Sequence, residues 1–488
     1  MELGRCPARL PNVLGVHSAT SQAVRVAVLA DSDTRWKWGA LTARRVVPEG
    51  RAVELSGFLL RGRATPTARQ LAEVDAAADA VREVTGAEFL RALATGPAGV
   101  EPGDVEQAGY EGGYDLVVLA LVGGGVQAML HGIAALGLGR RPVVVTGYVG
   151  VVYEKLADGL LLRHGADVVL ANSRHDAQRF RAVYEGVGAD AAGVTRAALP
   201  FLGGARYERE EGRDTVVFAA QPSVPATRAD RAYLLGRLVD HARLHPRREV
   251  LLKLRSRVGE HTTHVEEFPY QRLAERTAGG LPPNFRLVYG NMGEVLDRTD
   301  LLVTVSSTAA LEALHRRIPT AVLTDLGIRE PLGNHHFVGS GCLASWDQLD
   351  AGLRPKADPV WADRSGVAAV GAGDAVDAVD AVDATTGAGS YAAAFDEARA
   401  RVAALLDGPA LAPPAPYYTR TTAPGYLPQL LARYHLDPDG RPLAAAASRD
   451  DASGLRRAVR QAVRDAARGA YRHGVQRVAP VIRRMGEL

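Results

Sequence analysis

"TVSSTAALEALHRRIPTAVLTD", residues 304–325, decides how the second half of the chain is read. A short apolar run ends in Ser306-Ser307-Thr308. A helix-like run follows with one acid, Glu312, and then Pro319 precedes a second apolar run. Strand, turn, helix and strand in this order are the unit of a parallel α/β sheet. Ligands of such sheets lie beyond the carboxyl ends of the strands. Hydroxyls beside the unpaired N–H groups of a helix start suit a phosphate, and Glu312, one turn further, can reach a ribose diol. A plain helix cap would use the same hydroxyls, so the flanking sequence has to decide between them.

The flanks repeat the pattern. TVVFAAQ (215–221), EVLLKLR (249–255), FRLVYG (285–290) and LLVTVS (301–306) read as strands, with helices predicted over 229–246, 291–299 and 308–317. The first half behaves likewise. VRVAVLA (24–30), DLVVLALV (115–122), PVVVTG (142–147) and ADVVLA (166–171) are strand-like. A helix follows GGG at 123–125, and Ser173 with Asp176 forms a near capping box at another helix start. Gly and charge break the pattern near 199–214, where we place a linker. The expectation is two doubly wound, Rossmann-like α/β domains, an acceptor-side one over 23–205 and a nucleotide-donor one over 206–362. The segment 48–113 is read as an insert in the first.

Composition narrows the class. A chain of 488 residues, 47% hydrophobic, can fill two cores. Net charge is only +3, which gives no chain-wide field for nucleic acid. Two cysteines, Cys6 and Cys342, provide neither a disulfide framework nor zinc spacing. No apolar run reaches ~18 residues and the start lacks a signal-peptide core, so a cytoplasmic protein is expected. Residues 1–22 read as a flexible arm. DAVDAVDAVD (374–383), inside 363–392, has neither helical nor strand periodicity and reads as a disordered loop. Residues 393–450 read as helices and loops returning across the domains. In 451–488, apolar positions from Leu455 to Val478 alternate with Arg460, Arg464, Arg468 and Arg472, and the segment carries a net +6. It is expected to be a basic amphipathic helix that rests on an anionic membrane surface or on the protein body.

Of 58 basic residues only Lys37, Lys155, Lys253 and Lys356 are lysines. Lys253 interrupts an apolar run at a strand end, with Arg255 two residues on. Both are expected to neutralise a leaving pyrophosphate. Arg257 reads as surface charge.

With these residues in view, the second half resembles the donor domain of GT-B-fold glycosyltransferases. TVSSTAALEAL…IPTAVL is similar to the Ser-Ser/Thr-x4-Glu-Ala-Leu…Pro segment of teichoic-acid glycerophosphotransferases, capsule glycosyltransferases and UDP-GlcNAc 2-epimerases. VVLANSRHDAQRF and LPFL resemble the end of the GT-B first domain. LADSDTRWKWGALTAR (29–44) and NHHFVGSGC (334–342) look like an actinobacterial family labelled "putative glycosyltransferase". The resemblance covers about residues 24–350 and implies a site in the cleft between two domains, with no required metal or cofactor.

Asp31-Ser32-Asp33 matches the DxD metal motif of the other glycosyltransferase fold. Here it follows the first strand, ahead of any nucleotide-binding unit. Asp31 and Asp33 are therefore read as acceptor-side residues, one of them a general base. A turn or cap is the alternative. Trp36 and Lys37, with Trp38, are candidates for a sugar platform or for packing. Gly124 sits in a strand-to-helix turn near the acceptor, and Gly147 and Tyr148 in a similar loop. His335 and His336 are candidates to donate to a phosphate, and Gly339 and Ser340 to let the backbone approach it. No metal site is expected. The leading expectation is transfer of a sugar from a nucleotide-activated donor to a cell-surface glycan or lipid-linked acceptor. The alternatives are a nucleotide-sugar 2-epimerase-like enzyme and a catalytically silent protein of polysaccharide assembly.

Overall fold

Runs such as VRVAVLA and LVVLA present no polar position to water, so they belong in strands covered on both faces. The computed structural model describes residues 23–74, 76–96, 113–151, 156–257, 260, 266–367 and 391–443. The arm at 1–22, most of the low-complexity loop and the basic segment 451–488 fall outside these. Among the described residues, seven strands form the first sheet: β1 (Val24–Ala30), β2 (Val53–Leu60), β3 (Ala80–Val84), β4 (Leu116–Ala120), β5 (Val143–Gly147), β6 (Val168–Ala171) and β7 (Val194–Arg196). Their order is β3-β2-β1-β4-β5-β6-β7. Six more form the second: β8 (Thr215–Ala219), β9 (Glu249–Lys253), β10 (Phe285–Val288), β11 (Leu301–Thr304), β12 (Thr320–Leu323) and β13 (Leu343–Ala344), ordered β10-β9-β8-β11-β12-β13. Every paired strand is parallel. Both sheets are doubly wound and Rossmann-like, as the alternation of strand and helix patterns predicts.

Each sheet has helices over its buried faces. One apolar cluster runs from Val28 and Val145 through Leu199 and Leu202 to Leu302, Leu311 and Ile318, so it joins the two sheets. A second, with Phe89, Met129 and Phe180, covers the other face of the first sheet. A third, with Phe218, Tyr270 and Trp346, covers the far face of the second.

The segment 48–113 is not an insert. It contributes β2 and β3 to the sheet, together with the helices Ala68–Glu73 and Gly86–Thr95. β3 escapes a reading based on apolar runs because it is an edge strand, AVREV, whose first four residues are exposed. DSDTRWKW is likewise a helix start. Ser32 is the N-cap and the helix runs Asp33–Val46. Ser173 caps the helix Arg174–Gly186, accepting from the Asp176 amide at 2.9 Å.

The described part of 393–450 returns to the first sheet. Glu397 of the helix Asp396–Leu406 accepts from the Arg196 amide on β7, and Asp407 pairs with Arg51 at 2.8 Å. The buried Tyr391 donates to the Leu199 carbonyl and lies 5.0 Å, ring to ring, from His315 of the second half. Among the described residues no helix is long and apolar enough to cross a membrane.

Candidate active site

In each sheet the strand order reverses once, between β1 and β4 and between β8 and β11. The loops leaving such a pair of strands open a crevice, the general place for a ligand in this architecture. Here both crevices are bridged by the same device. After β1, Asp31 Oδ2 accepts from the Val122 amide beyond β4 at 3.0 Å. After β8, Gln221 Oε1 accepts from the Ser306 amide beyond β11 at 3.0 Å. Asp31 Oδ1 also takes a 2.9 Å bond from Arg35, so both oxygens are held within its own domain.

Asp33 is held differently. It is buried on the first turn of its helix, and Arg255, just beyond β9, forks onto both its oxygens, Nε at 3.4 Å from Oδ2 and Nη2 closer on Oδ1. Burial alone would raise this carboxyl. The Arg255 charge and hydrogen bond, with bonds from Thr34, outweigh burial and hold it below the ordinary aspartate value. Other ion pairs cross between the halves near this point. Lys37 Nζ lies 3.9 Å from Glu312, and Arg69 pairs with Glu260 while also bonding Glu73. Gly150, beyond β5, abuts Thr308: a Cβ added there would meet Thr308 Oγ1 at 2.8 Å.

Lys253 ends β9 in the middle of this group. It is 8% exposed, and its ammonium donates to the Leu254 carbonyl at 2.8 Å. Among the described residues no carboxylate lies within ion-pair distance of it. Burial pulls its pKa from 10.5 to about 8, against the more distant fields of Glu73 and Glu312. Glu312 is buried as well. Desolvation raises its carboxyl, opposed by Lys37, Arg316 and Lys253. Past the strand ends of the second sheet the chain thus places a buried cation with, among the described residues, one hydrogen-bond partner, and a buried, partly compensated acid on the next helix.

The remaining sequence candidates fall in several places. Ser306 is buried and its hydroxyl donates to the Leu332 carbonyl at 2.5 Å, so it ties two loops together. Ser307 is half-buried and its Oγ accepts from the Ala309 amide at 3.2 Å. Thr308 is half-buried at the start of the helix Ala309–His315 and makes no side-chain cap bond. Trp36 cannot be a sugar platform: it is 1% exposed, packs on Gly57 and donates to the Ala76 carbonyl at 3.1 Å. Trp38 is buried beneath Gly147. Lys37 faces Glu312 and the Phe201 ring rather than an acceptor pocket of its own domain. Gly124 lies in the first turn of the helix Gly123–Leu136, where a Cβ would meet Leu430 at 3.0 Å. Tyr148 carries the Arg163 guanidinium over its ring at 4.0 Å.

His335 and His336 form the short turn Asn334–Phe337. Burial first, then His175, His335 and Arg179, hold His336 down to about 4, so it is neutral near pH 7 and offers a phosphate no charge. Its ring packs against Phe337 and Trp361. Ser340 is buried and accepts from the Cys342 amide at 3.0 Å. Gly339 has φ +81° at an exposed turn, a conformation that favours glycine. These residues shape a loop.

Sequence reasoning missed Gln221, Arg69, Glu73 and Glu260. The strand-end rule would have found Gln221, which directly follows β8. Arg69 and Glu73 lay in the segment misread as an insert. Among the described residues one cluster elsewhere has metal-ligand chemistry: His241, His245 and Asp350. His241 is already spanned, however. Its Nδ1 meets Asp350 at 2.5 Å, and its Nε2 takes a 2.8 Å bond from Arg248. Arg237 also bonds Asp350 at 2.9 Å, so two guanidinium groups stand where a cation would sit. The cluster ties the helix Arg228–Leu244 to Trp346–Asp350.

The chain is similar to several solved structures. UDP-GlcNAc 2-epimerase from Neisseria meningitidis bound to UDP-GlcNAc matches at 8% identity and TM-score 0.43, over 79% of this chain and 100% of that one. The glycotransferase of kitacinnamycin matches at 12% and 0.37, over 79% and 96%. The Escherichia coli heptosyltransferase WaaC with ADP-2-deoxy-2-fluoro heptose matches at 17% and 0.29, over 62% and 88%. The two doubly wound parallel sheets are the α/β plan that the sequence predicts. A search of curated proteins finds no match. The model of one protein family matches residues 26–382, and the chain belongs to that family, described as "Putative glycosyltransferase (DUF6716)".

Proposed function

We propose that the protein transfers a sugar from a nucleotide-activated donor to a hydroxyl of a cell-surface glycan or lipid-linked acceptor. One observation carries the reading: a buried ammonium, Lys253, at the end of β9 with no carboxylate within ion-pair distance among the described residues. A buried charge is costly unless something pairs with it. A diphosphate beside Lys253 and Arg255 supplies that partner, and Glu312 lies in the same field to accept from a ribose diol.

The roles follow. The acceptor oxygen attacks the anomeric carbon, and the bond from that carbon to the diphosphate oxygen breaks. Lys253 and Arg255 stabilise the charge that develops on the departing diphosphate, the task a metal performs in other transferases, so the reading assigns no metal and no cofactor. Asp33 takes the acceptor proton. Asp31, fixed by Arg35 and the Val122 amide, holds the β1 and β4 loops in register. Ser307 and Thr308 flank the diphosphate. Lys37 ties Glu312 to the first domain, and Gly147 and Tyr148 border the acceptor side. The basic segment 451–488 would keep the enzyme at an anionic inner membrane face, beside a lipid-linked acceptor.

The test is turnover. Mixed with its donor and acceptor, the protein should release a nucleoside diphosphate together with a glycosylated acceptor. Epimerised donor with no acceptor product would contradict transfer.

A further inference from the structure

We propose that Arg255 has two alternative partners, Asp33 in the empty cleft and the donor's diphosphate in the loaded one, so that donor binding releases the base. The inference rests on the donor site proposed above.

Three features support an exchange. Leu254 points into the far core of the second sheet, which turns Lys253 and Arg255 to the opposite side together. A diphosphate drawn to Lys253 therefore arrives beside Arg255. Asp33 and Arg255 are, among the described residues, each other's ion-pair partners, and they lie 222 positions apart in the chain. Among the described residues nothing else holds this guanidinium to the first domain. The fork from Nε and Nη2 also engages both carboxylate oxygens, and a carboxylate so paired competes poorly for the proton of a sugar hydroxyl.

The consequences run in one direction. Paired with Arg255, Asp33 is held below the ordinary aspartate value and is a weak proton acceptor. Without the guanidinium it is a buried carboxylate with its desolvation uncompensated, and its basicity rises. The base is then at hand only when a donor is present, and the donor binds first. The pair also competes with the donor: if Arg255 is engaged by Asp33 for about 70–90% of the time, apparent affinity is lowered by about three- to tenfold.

The test is a calorimetric titration of the full-length protein with UDP, GDP, ADP and CDP, in four forms: wild type, Asp33→Asn, Arg255→Gln and the double variant. Asp33→Asn should tighten binding of the preferred nucleoside diphosphate by about three- to tenfold. Arg255→Gln should weaken it, and Asp33→Asn should have no effect in the Arg255→Gln background. Melting curves check that each variant is folded, and Asp33→Ser repeats the experiment should Asp33→Asn fail. If the wild type binds a nucleoside diphosphate but the Asp33 variants bind it equally or more weakly, the exchange is overturned and the donor site stands. If the wild type binds none of the four, both fall.

Discussion

Asp33, on the first turn after β1, and Arg255, just past β9, form a forked ion pair between the two halves of the molecule. The pair joins the loop after β1 to the strand that carries Lys253. It makes Asp33 the better placed of the two aspartates for a changing role, because Asp31 is bonded entirely within its own domain.

Asp33→Asn should therefore lower the rate of transfer without loss of nucleotide binding. Removing a general base costs on the order of 10²-fold or more in kcat. Asp31→Asn should act through the β1 and β4 loops, lowering Tm as well as the rate. Steady-state kinetics and melting curves of the two variants separate these effects. A fully active Asp33→Asn enzyme would remove the base assignment.

Lys253 predicts a trade between stability and binding. Its pKa is about 8 in the folded protein against about 10.5 unfolded, so at neutral pH its burial costs on the order of 3 kcal/mol. The sign is that of a depressed lysine. Between about pH 8 and 10.5 the unfolded chain binds more protons, so this group's contribution makes stability rise with pH across that window. Lys253→Met fits the apolar stem and should raise Tm at pH 7 and flatten the rise above pH 8. A lower Tm in Lys253→Met would show that the ammonium is fully compensated in the empty protein.

Trp36→Ala should cost about 3–5 kcal/mol of stability, the usual price of a large core deletion, since Trp36 is 1% exposed. Trp36→Phe should keep most of the stability and leave acceptor KM unchanged. A selective rise in acceptor KM for Trp36→Phe would restore the sugar-platform reading.

The alternation of apolar runs with helix-like segments made the two sheets legible, because their central strands are covered on both faces and tolerate no polar break. β2 and β3 were not: β2 (VELSGFLL) breaks its apolar run with Glu54, Ser56 and Gly57, and β3 is an edge strand whose first four residues are exposed. Lys253 was legible as a charge interrupting an apolar run. Trp36 and Lys37 show the limit. Neighbouring residues on one helix point to different sides, and the sequence does not say that one enters the core against Gly57 while the other crosses to Glu312. The Asp33–Arg255 pair joins positions 222 apart, which no local pattern encodes.

The basic segment 451–488 should bind vesicles containing anionic lipid, with each Arg near the surface contributing about 1 kcal/mol, and added salt should release it. Its apolar positions are mostly Ala and Val, too little for deep insertion. Co-sedimentation of the full chain and of a chain ending at 450, on anionic and neutral vesicles, checks this. Equal retention on both vesicle types would contradict it.

The central claim is that Lys253 holds the diphosphate of a nucleotide-activated donor. Calorimetric titration of wild type and Lys253→Met with UDP, GDP, ADP and CDP at pH 7, and of wild type again at pH 9, tests it most directly. The account predicts that one of the four binds the wild type, that affinity falls as pH rises through about 8 and the ammonium is lost, and that Lys253→Met reduces affinity at least about tenfold, the scale of one lost charge-assisted contact. Binding of equal strength by Lys253→Met, or no binding of any of the four by the wild type, would contradict it.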